Sequence, residues 1–180
     1  PSILQSGEER LQKSELAISE IRYIFQRFNV KKVGAYNANF DLRMLGNTAQ
    51  HLESLDFFAS LEWFDLWQIA CNTLLKTPDF KHWAAKRGLF SEKGNVMTSA
   101  EVCYRYIKGC DFTEDHTALS DSVLEAEIAQ TIFKKYGGSF FSSASMSGRT
   151  WQAVNDYAAK EAVRKAQALG VVSVASESRY

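Results

Sequence analysis

The feature that most limits the fold is the alternation of short apolar stretches with longer amphipathic ones. Val33–Tyr36 and Leu61–Leu66 are apolar and have the length of strands. Apolar residues recur at helical spacing over Glu8–Phe28, before the first strand, and a second helix is predicted over Asn39–Leu52, between the two strands. A strand, a helix and a second strand in this order predict an α/β fold with parallel strands.

Start and stop signals divide the rest of the chain into helices. Thr98 and Glu101 form a capping box, in which each side chain would satisfy a free backbone N–H at the start of a helix. Gly137 and Gly138 together are a strong helix stop. The predicted helices are Trp67–Lys76, Phe80–Arg87, one from the capping box to Lys108, Ala118–Tyr136 and Trp151–Leu169.

The composition of the chain changes after residue 138. Residues 139–150 are rich in Ser and Gly, which is typical of a linker. We therefore expect one domain over residues 1–138, a linker over 139–150 and a helical tail over 151–180. The tail helix is amphipathic and basic, so it is predicted to cover exposed core or, alternatively, to contact nucleic acid or a partner.

Overall composition indicates an ordinary globular protein, with 46% hydrophobic and 23% charged residues. Twenty-one basic residues balance 21 acidic ones, so net charge gives no indication of nucleic-acid binding. No apolar run approaches the ~20 residues needed to cross a bilayer, so no membrane association is expected. Cys71, Cys103 and Cys110 lack CxxC spacing, which favours reduced thiols and a cytoplasmic location.

Two short segments contain the residues that could do chemistry. In the first, Asp41 lies just after a predicted strand, at the start of a helix, where open α/β sheets bind ligands. Asp41 could equally favour the first helical turn through the helix dipole. In the second segment, His116 and Asp121 lie at a loop-to-helix junction and could face one cleft, or His116 could simply be exposed in the loop.

Taken together, the two segments resemble two motifs of the DEDDh family of 3′–5′ exonucleases, which has a ribonuclease H-like fold. Asn37-Ala38-Asn39-Phe40-Asp41 with Leu45 is similar to the second motif, and His116-Thr117-Ala118-Leu119-Ser120-Asp121 is similar to the third. The motifs occur in the order of the family, with helix, strand and helix between them. The resemblance covers about Ser14 to Gly137.

The resemblance implies a two-metal mechanism for hydrolysis of phosphodiester bonds, with Mg²⁺ or Mn²⁺ as cofactor. Asp121 would bind the metal that carries the nucleophilic water, Asp41 would hold the second metal, and His116 would be the general base. Asn37 and Phe40 would form the floor beneath the terminal nucleotide. The implied substrate is the 3′ end of single-stranded DNA or RNA, in a role such as DNA repair or proofreading.

Two departures from the family pattern stand out. Tyr36 occupies a position where many members have His. More seriously, the first motif, an Asp-x-Glu on the first strand, is not found among the 40 residues that precede Asp41. The expected fold is therefore a ribonuclease H-like exonuclease fold lacking its first three strands. Its open sheet would invite a protein partner or a homodimer, and this chain alone is expected to be inactive.

Other residues allow alternative interpretations. Asp65 is predicted to bond loop N–H groups, although it could be a third metal ligand. Trp63, Trp67 and Trp83 are predicted mainly to pack in the core, although they could stack on bases. A basic stretch could bind phosphates or be a solvated helix face: Lys81, His82, Lys86, Arg87 and Lys93. The function expected is an exonuclease; the alternative is an incomplete remnant that binds nucleic acid or a partner.

Overall fold

The structure is a computed structural model, and it describes residues 13–51, 60–113, 117–147 and 154–155. Within these residues it is a mixed α/β fold with a parallel pair of strands. The strands are β1, Lys32–Ala35, and β2, Glu62–Asp65. The helices are α1, Ser14–Arg27; α2, Ala38–His51; α3, Leu66–Ala70; α4, Pro78–Lys86; α5, Ala100–Lys108; and α6, Ala118–Tyr136.

Strands β1 and β2 are parallel, as the sequence predicted, and helix α2 lies between them in the chain. Their register places Val33 beside Trp63 and Gly34 beside Phe64. The Phe64 ring fills the space where a side chain at Gly34 would begin, because a Cβ there would lie 2.0 Å from a ring carbon. Glycine at this position is what allows the aromatic ring to lie across the sheet.

The helix predicted over Trp67–Lys76 is found, but its boundaries and its second half differ from the prediction. Helix α3 begins one residue earlier, because the Asp65 carboxylate accepts a hydrogen bond from Gln68 N at 3.1 Å and caps the first turn. After Ala70 the helix continues as a π-helical turn over Cys71–Leu75. Nothing in the apolar spacing of this segment distinguishes a π turn from an α turn.

The capping box predicted at Thr98 is wrong by one residue. Ser99 is the N-cap of α5, and its hydroxyl accepts from Val102 N at 3.3 Å. The Thr98 hydroxyl instead accepts a hydrogen bond from Trp67 Nε1 at 3.0 Å. A tertiary contact thus takes the side chain that the local pattern assigned to the cap. The predicted end of this helix is confirmed, with Gly109 in the left-handed conformation at φ 68°.

The main core lies among α3, the π turn and helices α4 to α6. Its fully buried side chains include Ile69, Leu75, Phe80, Phe90 and Ile128. A second, smaller cluster lies between the strands and α1, α2. There the buried side chains are Ile18 and Trp63, with partly buried neighbours such as Val33 and Leu42.

The stretch predicted to be a linker contacts the sheet over residues 139–147. It forms two 3₁₀ turns, Gly138–Phe140 and Ser143–Met146. The Ser145 hydroxyl accepts from Asp65 N at 2.9 Å, and Ser143 N donates to the Glu62 carboxylate at 3.1 Å. This segment therefore covers the side of β2 that faces away from β1. The division into a domain, a linker and a tail stays a prediction.

Parts of the predicted first and last helices lie outside the described residues. Of the predicted helix Glu8–Phe28, the structure describes residues 13–28, and α1 accounts for most of them. Of the tail, Val154 and Asn155 are described, and both are buried. No helix within the described ranges is long and apolar enough to cross a membrane.

Candidate active site

Asp41 lies in the first turn of α2, directly after the carboxyl end of β1. The turn between strand and helix uses Asn37 at φ 68°, a left-handed conformation that Asn tolerates better than most residues. The Phe40 N–H then donates to the Asn37 carbonyl at 2.9 Å. The local sequence thus directs the helix start, and Asp41 with it, to the carboxyl edge of the sheet, where Asp41 is partly exposed.

A second carboxyl group, Asp65, lies at the end of β2 on the same edge. It is 1% exposed, and burial is the main reason that its pKa is raised. The charge of Asp41 raises this pKa further, which indicates that the two carboxyl groups are close, whereas backbone N–H groups of Gln68, Asn37 and Trp67 act in the opposite direction. These contacts confirm the interpretation of Asp65 as a residue that bonds backbone N–H groups.

The two residues predicted to contact the terminal nucleotide, Asn37 and Phe40, are both exposed. The Phe40 side chain is 50% exposed beside Asp41, an unusual position for a large aromatic ring. The Arg43 guanidinium lies 5.6 Å from the centre of this ring. An exposed ring, a cation and a carboxylate therefore share the first turns of α2.

Asp121 lies in the first turn of α6, where Thr117 caps the helix and accepts from Ser120 N at 3.3 Å. The Asp121 carboxylate is 3.5 Å from the Ser120 hydroxyl and is partly exposed. His116 lies outside the described residues, as do Glu114 and Asp115. The predicted roles of His116, Asp41 and Asp121 in catalysis stay predictions.

Across residues 13–51, 60–113, 117–147 and 154–155, no group of three or more His, Cys, Asp or Glu side chains could hold a metal ion. Asp41 and Asp121 are both partly exposed and have the oxygen ligands that Mg²⁺ and Mn²⁺ prefer.

Tyr36, directly after β1, belongs to a buried polar cluster that was not predicted from the sequence. The Tyr36 hydroxyl donates to the Thr98 carbonyl at 2.7 Å, and burial raises the pKa of Tyr36 well above its usual value. Burial also raises the pKa of the Cys71 thiol to about 12, and that of the Cys103 thiol further. The signal in the sequence was Tyr36 itself, a polar side chain directly after an apolar strand.

The aromatic residues considered as base platforms pack mainly in the protein. Trp63 is 7% exposed, and Trp67 and Trp83 pack against the main core. The Trp83 ring stacks on Phe80 at 5.9 Å between centroids and is covered by the Arg87 guanidinium at 4.6 Å. The predicted packing role is confirmed for Trp63 and Trp83. Trp67 packs against the main core and remains partly exposed. In the basic stretch, Arg87 is engaged with Trp83.

Comparison with known proteins does not identify a family or a function for this chain. No model of a protein family matches the chain, and no similar chain is found among curated proteins or solved structures.

Proposed function

We propose that this chain is the later part of a metal-dependent 3′–5′ exonuclease with a ribonuclease H-like fold. The observation that carries the proposal is the position of Asp41 on a β-α-β unit. It lies at the carboxyl end of β1, close to Asp65 at the end of β2, and remains partly exposed. Ligands of open parallel sheets bind at this edge, and the position of Asp41 there supports the proposal.

In the proposed mechanism three residues of this chain act on the scissile phosphodiester. Asp121 and Asp41 would hold Mg²⁺ or Mn²⁺ through carboxylate oxygens, and His116 would act as the general base for the attacking water. Two divalent ions need more negative charge than two carboxylates provide. An Asp-x-Glu on a further strand of the same protein or of another chain would supply it.

The substrate is the 3′ end of a single strand of DNA or RNA. The exposed Phe40 ring offers a surface for the terminal base, and the Arg43 guanidinium beside it can pair with a phosphate. Asn37 is exposed at the same turn and can hydrogen-bond to the terminal nucleotide.

The additional strand has a place to bind, on the edge of β1 that faces away from β2. Glu62 N donates to the Lys31 carbonyl at 2.9 Å, so the backbone of Lys31 faces β2. Because the direction of backbone groups alternates along a strand, the N–H and C=O groups of Lys32 and Gly34 point away from β2. None of the described strands pairs with that edge. Pairing there, in a homodimer or with a protein partner, would complete the sheet.

The proposal is tested by extending the chain at Pro1 with a strand segment that carries Asp-x-Glu. Decay of 3′-labelled single-stranded oligonucleotides is then measured with and without Mn²⁺. The extended protein is expected to release mononucleotides from the 3′ end in a metal-dependent manner, whereas the chain as printed releases none or a trace. Equal, metal-independent rates for both proteins would contradict the proposal.

A second function is supported by the exposed apolar surface of α1. Leu16, Tyr23 and Phe28 on or beside this helix are 57%, 61% and 68% exposed. Such a patch is typical of a surface that contacts another molecule. The alternative is therefore an incomplete exonuclease remnant that uses this surface to bind nucleic acid or a partner and does not hydrolyse it. Extending such a protein with an Asp-x-Glu strand would produce no nuclease activity.

A further inference from the structure

A cavity of about 420 Å³ lies beside the start of α5, away from Asp41 and Asp121, neither of which lines it. Small-molecule pockets commonly measure about 300–1,000 Å³, so the size is sufficient for a small ligand. The lining residues that matter for its chemistry are Trp67, Lys93, Asn95, Thr98, Ser99 and Asn155.

The walls of this cavity are held by hydrogen bonds. Trp67 Nε1 donates to the Thr98 hydroxyl at 3.0 Å, while the Thr98 carbonyl accepts from the Tyr36 hydroxyl at 2.7 Å. Elsewhere in the lining, the buried Asn155 side chain accepts from Val96 N at 2.5 Å. The Trp67 ring is therefore fixed in position, and through Tyr36 the cavity is connected to the end of β1.

Charge and unmet hydrogen-bonding capacity indicate what the cavity would bind. Lys93 is exposed, makes no ion pair with any described residue, and is accompanied in the described lining by no Asp or Glu. The Asn95 Oδ1 atom is buried and, among the described residues, has no hydrogen-bond partner. A ligand that fits would have an anionic group, a flat ring and a hydrogen-bond donor.

We propose that the cavity binds a nucleotide. Its phosphate pairs with the Lys93 ammonium, its base packs against the Trp67 indole, and an N–H or sugar hydroxyl donates to Asn95 Oδ1. A free mononucleotide and one unit of a single strand share this chemistry. Binding here requires none of the predicted catalytic residues, so it is independent of the proposed hydrolysis and extends beyond it.

The test is a fluorescence titration of the full chain, without divalent metal, with adenosine monophosphate and with a short single-stranded oligonucleotide. Adenosine monophosphate is expected to change tryptophan fluorescence, and the change should be lost in Trp67→Phe. Affinity should fall roughly tenfold in Lys93→Ala, which removes the phosphate's partner, and about threefold in Asn95→Ala, which removes a neutral hydrogen-bond acceptor. Lys76→Ala removes an exposed lysine elsewhere and should leave affinity unchanged.

The outcomes separate the sources of the ligand. Displacement of adenosine monophosphate by the oligonucleotide would assign the cavity to a unit of a strand, and binding without displacement would assign it to the free nucleotide. Inorganic phosphate binding as tightly as adenosine monophosphate would overturn the proposal, leaving an anion site. Unchanged affinity in the surface variant Lys93→Ala would overturn it as well, even if Asn95→Ala fails to fold.

Discussion

The two regions of the molecule bury very different shares of their apolar side chains. Around the π turn and helices α4 to α6, most large apolar side chains are buried, as Phe80, Phe90 and Ile132 are at no more than 1% exposure. The exceptions on α6 are Leu119, Val123 and Phe133, which are more than half exposed. On the sheet side, Ile18 and Trp63 are buried, while a set of large apolar side chains on or beside α1 and α2 is about half exposed or more: Leu16, Tyr23, Ile24, Phe28, Phe40 and Met44.

This difference shows what a two-stranded sheet can and cannot cover. Strands β1 and β2 are four residues each, so the faces they offer to α1 and α2 are small. Helices that are amphipathic in sequence then keep part of their apolar face in solvent. Under the proposed function, the strand that completes the site also supplies the missing packing surface.

The largest expected effect is the difference in stability loss between two matched Phe→Ala substitutions, one in each region. Phe80 is 0% exposed and contacts Trp83 and Tyr106, so Phe80→Ala should cost about 3–5 kcal/mol of unfolding free energy. Phe28 is 68% exposed, so Phe28→Ala should change stability by less than about 0.5 kcal/mol. Urea denaturation measures both. Similar losses for the two variants would show that the sheet side is packed as tightly as the core.

A smaller effect is expected at the sheet. Gly34→Ala places a methyl group 2.0 Å from the Phe64 ring, and the ring must move away from its edge contact with Phe141. The loss should be about 1–3 kcal/mol.

The matched control for that substitution is Gly46→Ala on α2. A Cβ at Gly46 meets nothing within 4 Å, so alanine there should stabilise the helix by roughly 0.5–1 kcal/mol. Thermal melts of the two variants would be compared directly. A neutral Gly34→Ala would mean that the Phe64 ring is free to shift and that the strand pair is loosely packed.

The sequence predicted the elements of both regions better than it predicted their contacts. The bounds of α6 followed from its stop signal and spacing, and the presence and parallel direction of the two strands followed from the order of elements, although each strand's bounds differ from the prediction. For Asp65 the sequence indicated backbone N–H groups as partners, and this was confirmed. The partner of the Thr98 side chain was not predicted, because packing brings Trp67 Nε1 to its hydroxyl. For the same reason, Ser143 and Ser145 looked like linker residues although they bond to β2.

The sequence predicted where individual residues of the candidate site lie along the chain, but not which of them lie close to each other. The position of Asp41 follows from a strand, an Asn turn and a helix, all local in sequence. Its nearness to Asp65 depends on the register of β1 and β2, which periodicity does not specify. The cluster of Tyr36, Cys71 and Cys103 likewise depends on how separate elements meet.

A weaker effect is expected for metal binding. Asp41 and Asp121 alone should bind one Mg²⁺ or Mn²⁺ ion weakly, since two carboxylates cannot neutralise two divalent ions. An ion present at its dissociation constant would stabilise the fold by roughly 0.4 kcal/mol. Titration calorimetry of the chain and of Asp121→Asn tests this, with Asp79→Asn on α4 as control. Two tight sites in the unextended chain would show that another acid completes the set.

The smallest effect concerns the ion pair that joins the two strands. Lys32 Nζ lies 3.0 Å from the Glu62 carboxylate, and this bond, with Ser143 N, lowers the pKa of Glu62. Because the pKa of Glu62 is lower in the folded protein than in the unfolded chain, the charged carboxylate stabilises the fold. This stabilisation is complete above the ordinary glutamate pKa and is lost as pH falls through the folded pKa. Glu62→Gln should therefore lower Tm slightly at pH 7, and the difference should disappear once the pH is below the folded pKa of Glu62. A Tm difference that persists in acid would refute the pairing.

The most direct test of the proposed function is the rate of the extended protein after His116→Ala. With the Asp-x-Glu strand present and Mn²⁺ supplied, decay of a 3′-labelled oligonucleotide should slow by about 10²–10⁴, the usual effect of removing a positioned general base. His51→Ala is the matched control, since His51 has no acid or Cys at ligand spacing in the sequence, and should retain the parental rate. A His116→Ala protein that degrades the strand at the parental rate would contradict the proposed mechanism.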